Sequence, residues 1–285
     1  MKLIPKILWS YWESQDEALP NIIEFCKESW HRWGGVDDIR MLTPADLGEY
    51  LSNDDLPLEF WSLPPVKRAN AIRLALLSKF GGVWVDAGVG LSGELMAWLE
   101  PKTRLSGFFV FQGVSSDRSL TTWFIASAPH NSFISEWSRR YNLFFDRRKL
   151  HEAHSPAKSR SKLATFALMA INSQWLRSKP SRTAWWAKPP LSWLPFYPYF
   201  IMHYIANLML GETNYRSQLE NVEYVKAANS LLLRHLLDKG KFSHQSAWEA
   251  CRVVPIHKLD GYRNYSNEEL ETLRKVFAGA QPSAN

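Results

Sequence analysis

The feature that most constrains this chain is one block, residues 67–86, in which a helical pattern runs through two glycines into a short apolar strand and an aspartate. From 65 to 80 the apolar positions include Ala69, Ala71, Ile72, Leu74, Ala75, Leu76 and Leu77. They go nearly all the way round a 3.6-residue helix, so the spacing predicts a helix buried on most of its faces. Asn70 and Arg73 sit within it, three residues apart and therefore on one face. A guanidinium in such surroundings is costly unless it is paired. Two readings follow: the face looks into a polar cavity, or Arg73 makes a structural salt bridge. Gly81-Gly82 allows a tight turn. Val83-Trp84-Val85 then delivers Asp86, followed by the small residues Ala87 and Gly88. An acidic side chain at the carboxyl end of a buried strand is where an open α/β sheet holds its ligand. There it can bind a ribose hydroxyl or a divalent cation bridging a diphosphate, or simply cap a turn.

The flanking sequence has an alternating rhythm. Residues 4–12 read as a strand, 22–33 as a helix stopped by Gly34-Gly35, 38–42 as a strand and 44–51 as a short helix. Further strands are expected at 107–112 and 120–127, and helices at 131–150 and 158–176. Residues 185–199 hold four prolines among aromatics, which rules out a long helix there. A helix at 200–210, a strand at 222–225, a helix at 227–237, a strand at 252–256 and a helix at 267–277 complete the pattern, with 279–285 as a tail. Alternation of strand and helix predicts an α/β fold. The 285 residues, 46% of them hydrophobic, suit a single domain with one core and an insertion. No apolar h-region follows Met1, and no apolar run of about 18 residues occurs, so neither a signal peptide nor a membrane span is expected. Cys26 and Cys251 lie far apart with no CxxC or Cys/His neighbour, which fits a reducing compartment and no zinc site. The formal charge of +6 favours anionic partners, among them nucleotide diphosphates, phosphate-linked lipids, an anionic membrane face or nucleic acid, or else marks a moderately basic enzyme with no polyanion partner. No basic helix or stacking sheet points to nucleic acid.

Three stretches taken together carry a resemblance. Ile4-Pro5-Lys6-Ile7-Leu8-Trp9-Ser10-Tyr11-Trp12, Ala69-Asn70-Ala71-Ile72-Arg73-Leu74 and Lys79-Phe80-Gly81-Gly82-Val83-Trp84-Val85-Asp86-Ala87 resemble the capsular polysaccharide synthesis protein family. That family is akin to the DXD-containing sugar transferases, which include fungal mannosyltransferases and, more distantly, the clostridial toxin glucosyltransferases. Weaker similarity continues through 122–127, 199–204 and 254–259, so it spans roughly 4–262. The resemblance implies a GT-A-like, Rossmann-type nucleotide-binding sheet flanked by helices, with an added, mostly helical middle and C-terminal region. It divides the single domain, 1–285, into a nucleotide-sugar half of about 1–130, a helical insertion and acceptor region of about 131–250 and a closing segment of about 251–278. It implies a nucleotide-sugar donor, a UDP-sugar first among them, and transfer with retention to a growing capsular or other cell-surface glycan.

Carried over residue by residue, the resemblance puts Trp12 against the base, with Ser10 beside it in the same strand motif. It puts Asn70 and Arg73 on the sugar, Asp86 on ribose or metal, and His257 and Lys258 at the diphosphate. Two positions depart from the related transferases: their helix aspartate is Asn70 here, and their second DXD carboxylate falls on Gly88. A Mn²⁺ or Mg²⁺ site would rest on Asp86, with His257 as a second ligand, diphosphate oxygens and water. Without metal, the leaving diphosphate would need Arg73, Lys67, Arg68 or Lys258. The same departures support an alternative, a non-catalytic member that binds glycan or nucleotide within a polysaccharide assembly complex.

Several other residues admit two readings. His203 is either a core histidine or a group reaching the acceptor. Asp117 is a solvated turn residue or an acceptor-side base, and Asp260 is open in the same way. The aromatic stretch 185–199 is core packing, an acceptor platform or a membrane-interface patch. Lys158, Arg160, Lys162, Arg177, Lys179, Arg182 and Lys188 precede or punctuate it. That suits a lipid-linked glycan acceptor, and a cytoplasmic protein in peripheral contact with the inner face of the membrane.

Overall fold

Three parallel strands joined to an antiparallel pair make the central sheet of the computed structural model, which describes residues 3–14, 18–146, 151–152, 173–194, 196–279 and 281. In chain order, strand β1 (Ile7–Tyr11) leads through helix α1 (Asn21–Trp33) to β2 (Asp38–Leu42). The short α2 (Leu47–Tyr50) and the long α3 (Pro65–Phe80) then bring the chain to β3 (Gly82–Val85). A short strand β4 (Val89–Leu91), helix α4 (Leu95–Thr103) and the hairpin of β5 (Phe108–Ser115) and β6 (Arg118–Ser127) follow. The sheet order is β2-β1-β3-β6-β5, with β1 parallel to both β2 and β3, and β6 antiparallel to β3 and β5. The fold is therefore α/β, as the alternating pattern predicts. From β1 the chain steps to β2 on one side and later to β3 on the other. This reversal leaves a crevice beyond the carboxyl ends of β1 and β3.

The turn from α3 into β3 depends on its glycines. Gly81 and Gly82 have φ of 66° and 98°, values that side chains with a Cβ rarely adopt. A Cβ on Gly82 would lie 2.6 Å from the Ile7 carbonyl oxygen, and the Trp9 indole donates to the Gly81 carbonyl at 2.9 Å. The turn is thus pinned to β1, and β3 enters the sheet in register with Leu8 and Trp9. Trp9, Trp30, Trp84 and Trp137 are fully buried around this sheet.

The second half is mostly helical. α5 (Ser132–Asp146) packs on α3. Two residues, His151–Glu152, form β7 and pair with β8 (Phe196–Tyr197). Between them the described chain, 173–194, is a series of short turns that includes α6 (Pro180–Thr183). α7 (Ile201–Met209) packs on β6 and is buried at eight of its nine positions. Then come α8 (Thr213–Glu220), α9 (Ala227–Ser230), α10 (Leu232–Asp238), α11 (His244–Cys251), β9 (Ile256–Lys258) and α12 (Asn267–Phe277).

Some expectations shift. No strand forms over 222–225; Val225 only accepts a backbone hydrogen bond from Gln112, beside a single bridge at Lys226. The strand expected at 252–256 lies at Ile256–Lys258, because α11 and its closing turn occupy the residues before it. The helix expected at 227–237 breaks in two at Leu231. Of the helix expected at 158–176, residues 158–172 lie outside the described residues, as do Lys158, Arg160 and Lys162. Among the described residues, no helix is long and apolar enough to cross a membrane.

Candidate active site

Asp86 ends β3 in the crevice and is held from three directions. Its backbone N–H donates to the Trp123 carbonyl on β6 at 2.9 Å, which fixes where the strand stops. One carboxylate oxygen lies 3.1 Å from the Arg73 guanidinium and accepts from the Trp84 indole at 3.1 Å. The other lies 3.4 Å from the Lys258 ammonium. Burial pushes the Asp86 carboxyl up; the two cations and the indole hydrogen bond more than offset this and hold it below the ordinary range. Arg73 is buried to 5% exposure. It also donates to the Thr122 carbonyl and lies 5.0 Å over the Trp84 ring. Both readings of Arg73 therefore hold at once: it is salt-bridged, and the pair faces a cavity.

That cavity has a volume of about 410 Å³. Arg73, Asp86 and Lys258 line its floor, Glu13 and Tyr199 lie along its wall, and Trp12 and Tyr262 line it as a stacked pair with ring centroids 6.3 Å apart. Trp12 leaves β1 as Asp86 leaves β3, so the parallel pairing of these strands brings them to the same edge. Glu13 accepts from the Tyr11 hydroxyl at 2.8 Å and from Arg68. Arg234, on α10, pairs with Asp260 at 3.2 Å and braces the loop that carries Tyr262.

Lys258 reaches Asp86 because β4 and β9 pair, Val89 opposite Lys258, only three residues after Asp86. The Leu259 N–H then donates to the Gly88 carbonyl at 2.8 Å. A Cβ on Gly88 would lie 3.1 Å from the Leu259 carbonyl oxygen and 3.3 Å from the Gly261 nitrogen. The closing segment passes close to position 88, so a side chain there would need it to give by a few tenths of an ångström.

The remaining residues singled out in the sequence fall elsewhere. Asn70 is buried on α3 and does not line the cavity. Ser10 is buried within β1, its hydroxyl without a hydrogen-bond partner. His257 is fully buried, hydrogen-bonded to Ser92 at 2.8 Å and packed on Phe277. Successive strand residues point to opposite faces, so His257 turns into the core while Lys258 turns to the cavity. Burial pushes the His257 imidazole down to about 3. Lys67 donates to the Tyr199 carbonyl at 2.6 Å beneath that ring, and Arg68 is taken by Glu13 and the Trp61 carbonyl.

His203 is a core residue: Nδ1 donates to the Leu120 carbonyl at 2.9 Å, and burial pushes its imidazole down to about 3. Asp117 is neither solvated nor at the cavity. It is 2% exposed at the β5–β6 turn and accepts from Ser115, Arg118, Arg177 and Tyr204. The aromatic stretch divides: Trp186 and Tyr197 are core, Tyr199 lines the cavity, and Trp185 and Trp193 are exposed. Glu13, Arg234 and Tyr262 carried no local signal; only the fold brings them to Asp86.

The charged cavity thus lies at the strand reversal of a mixed α/β sheet. The capsular polysaccharide synthesis protein family model matches residues 1–153, more than half of the chain, so the chain belongs to that family. Among solved structures, the PaToxG glycosyltransferase is similar at 8% identity with a TM-score of 0.41, over 98% of this chain and 87% of that one. No curated protein matches in sequence.

Proposed function

We propose that the protein is a GT-A-type glycosyltransferase that moves a sugar, with retention, from a UDP-sugar to a growing cell-surface glycan. The observation that carries this reading is the Arg73–Asp86–Lys258 triad on the cavity floor, two cations about one carboxylate, beneath a stacked aromatic pair. Two cations against one carboxylate leave an excess of positive charge where the diphosphate would sit. In the transfer, the bond from the anomeric carbon to the diphosphate oxygen breaks and its electrons leave with the diphosphate. The acceptor oxygen bonds to that carbon on the face the diphosphate leaves, as retention requires, and passes its proton to the departing diphosphate oxygen. Lys258 and Arg73 stabilise the charge that develops on the leaving group. Trp12 offers a face to the base, and Asp86 accepts from ribose or sugar hydroxyls.

The residues fit a protein-held metal poorly. Both Asp86 oxygens face cations, Gly88 supplies no second carboxylate, and His257 points into the core. Among the described residues no group of three or more His, Cys, Asp or Glu side chains could hold an ion. The electrostatic work therefore falls to Arg73 and Lys258.

The test is UDP release from a panel of sugar nucleotides. One donor is expected to be turned over, and Lys258→Ala to lower kcat by about 10²–10³-fold, as loss of a transition-state charge partner does. Binding without turnover by any donor would favour the non-catalytic alternative, and absence of binding would refute the transferase reading.

A further inference from the structure

The chain's basic excess has a single address. Residues 153–211 contain seven Lys or Arg and no Asp or Glu, so the rest of the chain carries one more acidic than basic residue. Within the described part of that segment the turns at 176–178, 180–183, 184–187 and 191–193 pack on one another in succession, and α6 and the 184–187 turn rest on α7. This block buries Trp186 against the core yet leaves Trp175, Trp185 and Trp193 at 52%, 41% and 60% exposure. Trp175 and Trp185 meet edge to face at 5.6 Å, and Arg182 lies 4.2 Å over the Trp175 ring. Lys179 and Lys188 are exposed beside them. Indole rings with guanidinium and ammonium groups suit the boundary between lipid headgroups and acyl chains, and a cluster of one charge sign selects an anionic surface.

We propose that the block 173–194 docks the protein on an anionic lipid bilayer. The link to the cavity is short. Trp193 and Tyr199 are six residues apart, so the two lie within roughly 20 Å along the chain, and Tyr199 lines the wall of the donor cavity. A lipid-linked acceptor entering from that surface would reach the sugar. This last point rests on the transferase reading; the docking surface does not.

The experiment is flotation of the whole protein with vesicles, without nucleotide. One set is zwitterionic phosphatidylcholine and the other contains phosphatidylglycerol. The wild type is expected to float with the anionic vesicles and not the zwitterionic ones, and to be released by salt. Each of Lys179→Glu and Lys188→Glu should weaken partitioning by at least about fivefold. Trp175→Ala with Trp193→Ala should weaken it while leaving circular dichroism and nucleotide binding unchanged, since these rings are exposed and away from the cavity. Failure to float with anionic vesicles would overturn the proposal. So would partitioning that the folded lysine and tryptophan variants leave unchanged. RNA binding that ignores the tryptophan variant, with no vesicle binding, would assign the surface to nucleic acid instead. In each case nucleotide binding, measured in parallel, shows whether the transferase reading stands on its own.

Discussion

The sheet-bearing first half and the acid-free block after it use charge in opposite ways. Around the sheet, the cations near the cavity are matched by carboxylates: Arg68 with Glu13, and Arg73 and Lys258 with Asp86. In 173–194 the cations have no acidic neighbour in sequence, and Arg177 reaches back to Asp117 at the β5–β6 turn. Several tryptophans follow the same contrast, although Trp186 of the block is core and Trp61 of the first half is exposed. Trp9 and Trp84 are buried with their indole N–H groups satisfied, whereas Trp175 and Trp193 are exposed. Similar side chains build a pocket where opposite charges interleave, and a surface where one sign accumulates.

Substitution can break that contrast. Trp9→Ala should cost about 3–5 kcal/mol, the range for removing a buried aromatic, while Trp193→Ala should stay within about 0.5 kcal/mol. Urea unfolding of the two variants measures both; equal losses would show the division to be false. Gly82→Ala tests the turn that seats β3. With φ at 98° and the Ile7 carbonyl 2.6 Å from the added Cβ, it should lose more than about 1 kcal/mol.

A smaller effect concerns pH. His203, in the acid-free segment, and His257, behind the cavity, are held neutral by burial, with folded values near 3. The unfolded chain takes up these protons below about 6.5, so the stabilisation is complete above that pH and is lost as pH falls toward 3. Asp86 is depressed, so its contribution is full above about 4 and lost only below that. Urea midpoints of the wild type should therefore decline between pH 6.5 and 4.5. The double variant His203→Asn, His257→Gln should decline less, and identical slopes would refute the assignment.

What the sequence made legible was local. The 65–80 helix, its two-glycine turn and Asp86 follow from periodicity and backbone permission within one stretch, and α3 and β3 lie where that pattern puts them. Lys258 beside Asp86 depends on β4 pairing with β9 across the chain, and no local pattern encodes such a partner. The expectation that His257 and Lys258 act together ran against strand alternation, which became visible only once their segment was a strand. α4 went unread because Pro101 lies inside it, and α8 because it has no buried face. Asp117 has the composition of a solvated turn, and its burial comes from Tyr204 and Arg177, remote in sequence.

The central claim is that the Arg73–Asp86–Lys258 floor receives a nucleoside diphosphate, and titration calorimetry with UDP tests it most directly. Saturable binding is expected of the wild type, weakened about tenfold or more by Lys258→Ala and unchanged by Trp193→Ala. Equal affinity for wild type and Lys258→Ala, or no UDP binding by a folded wild type, would contradict it.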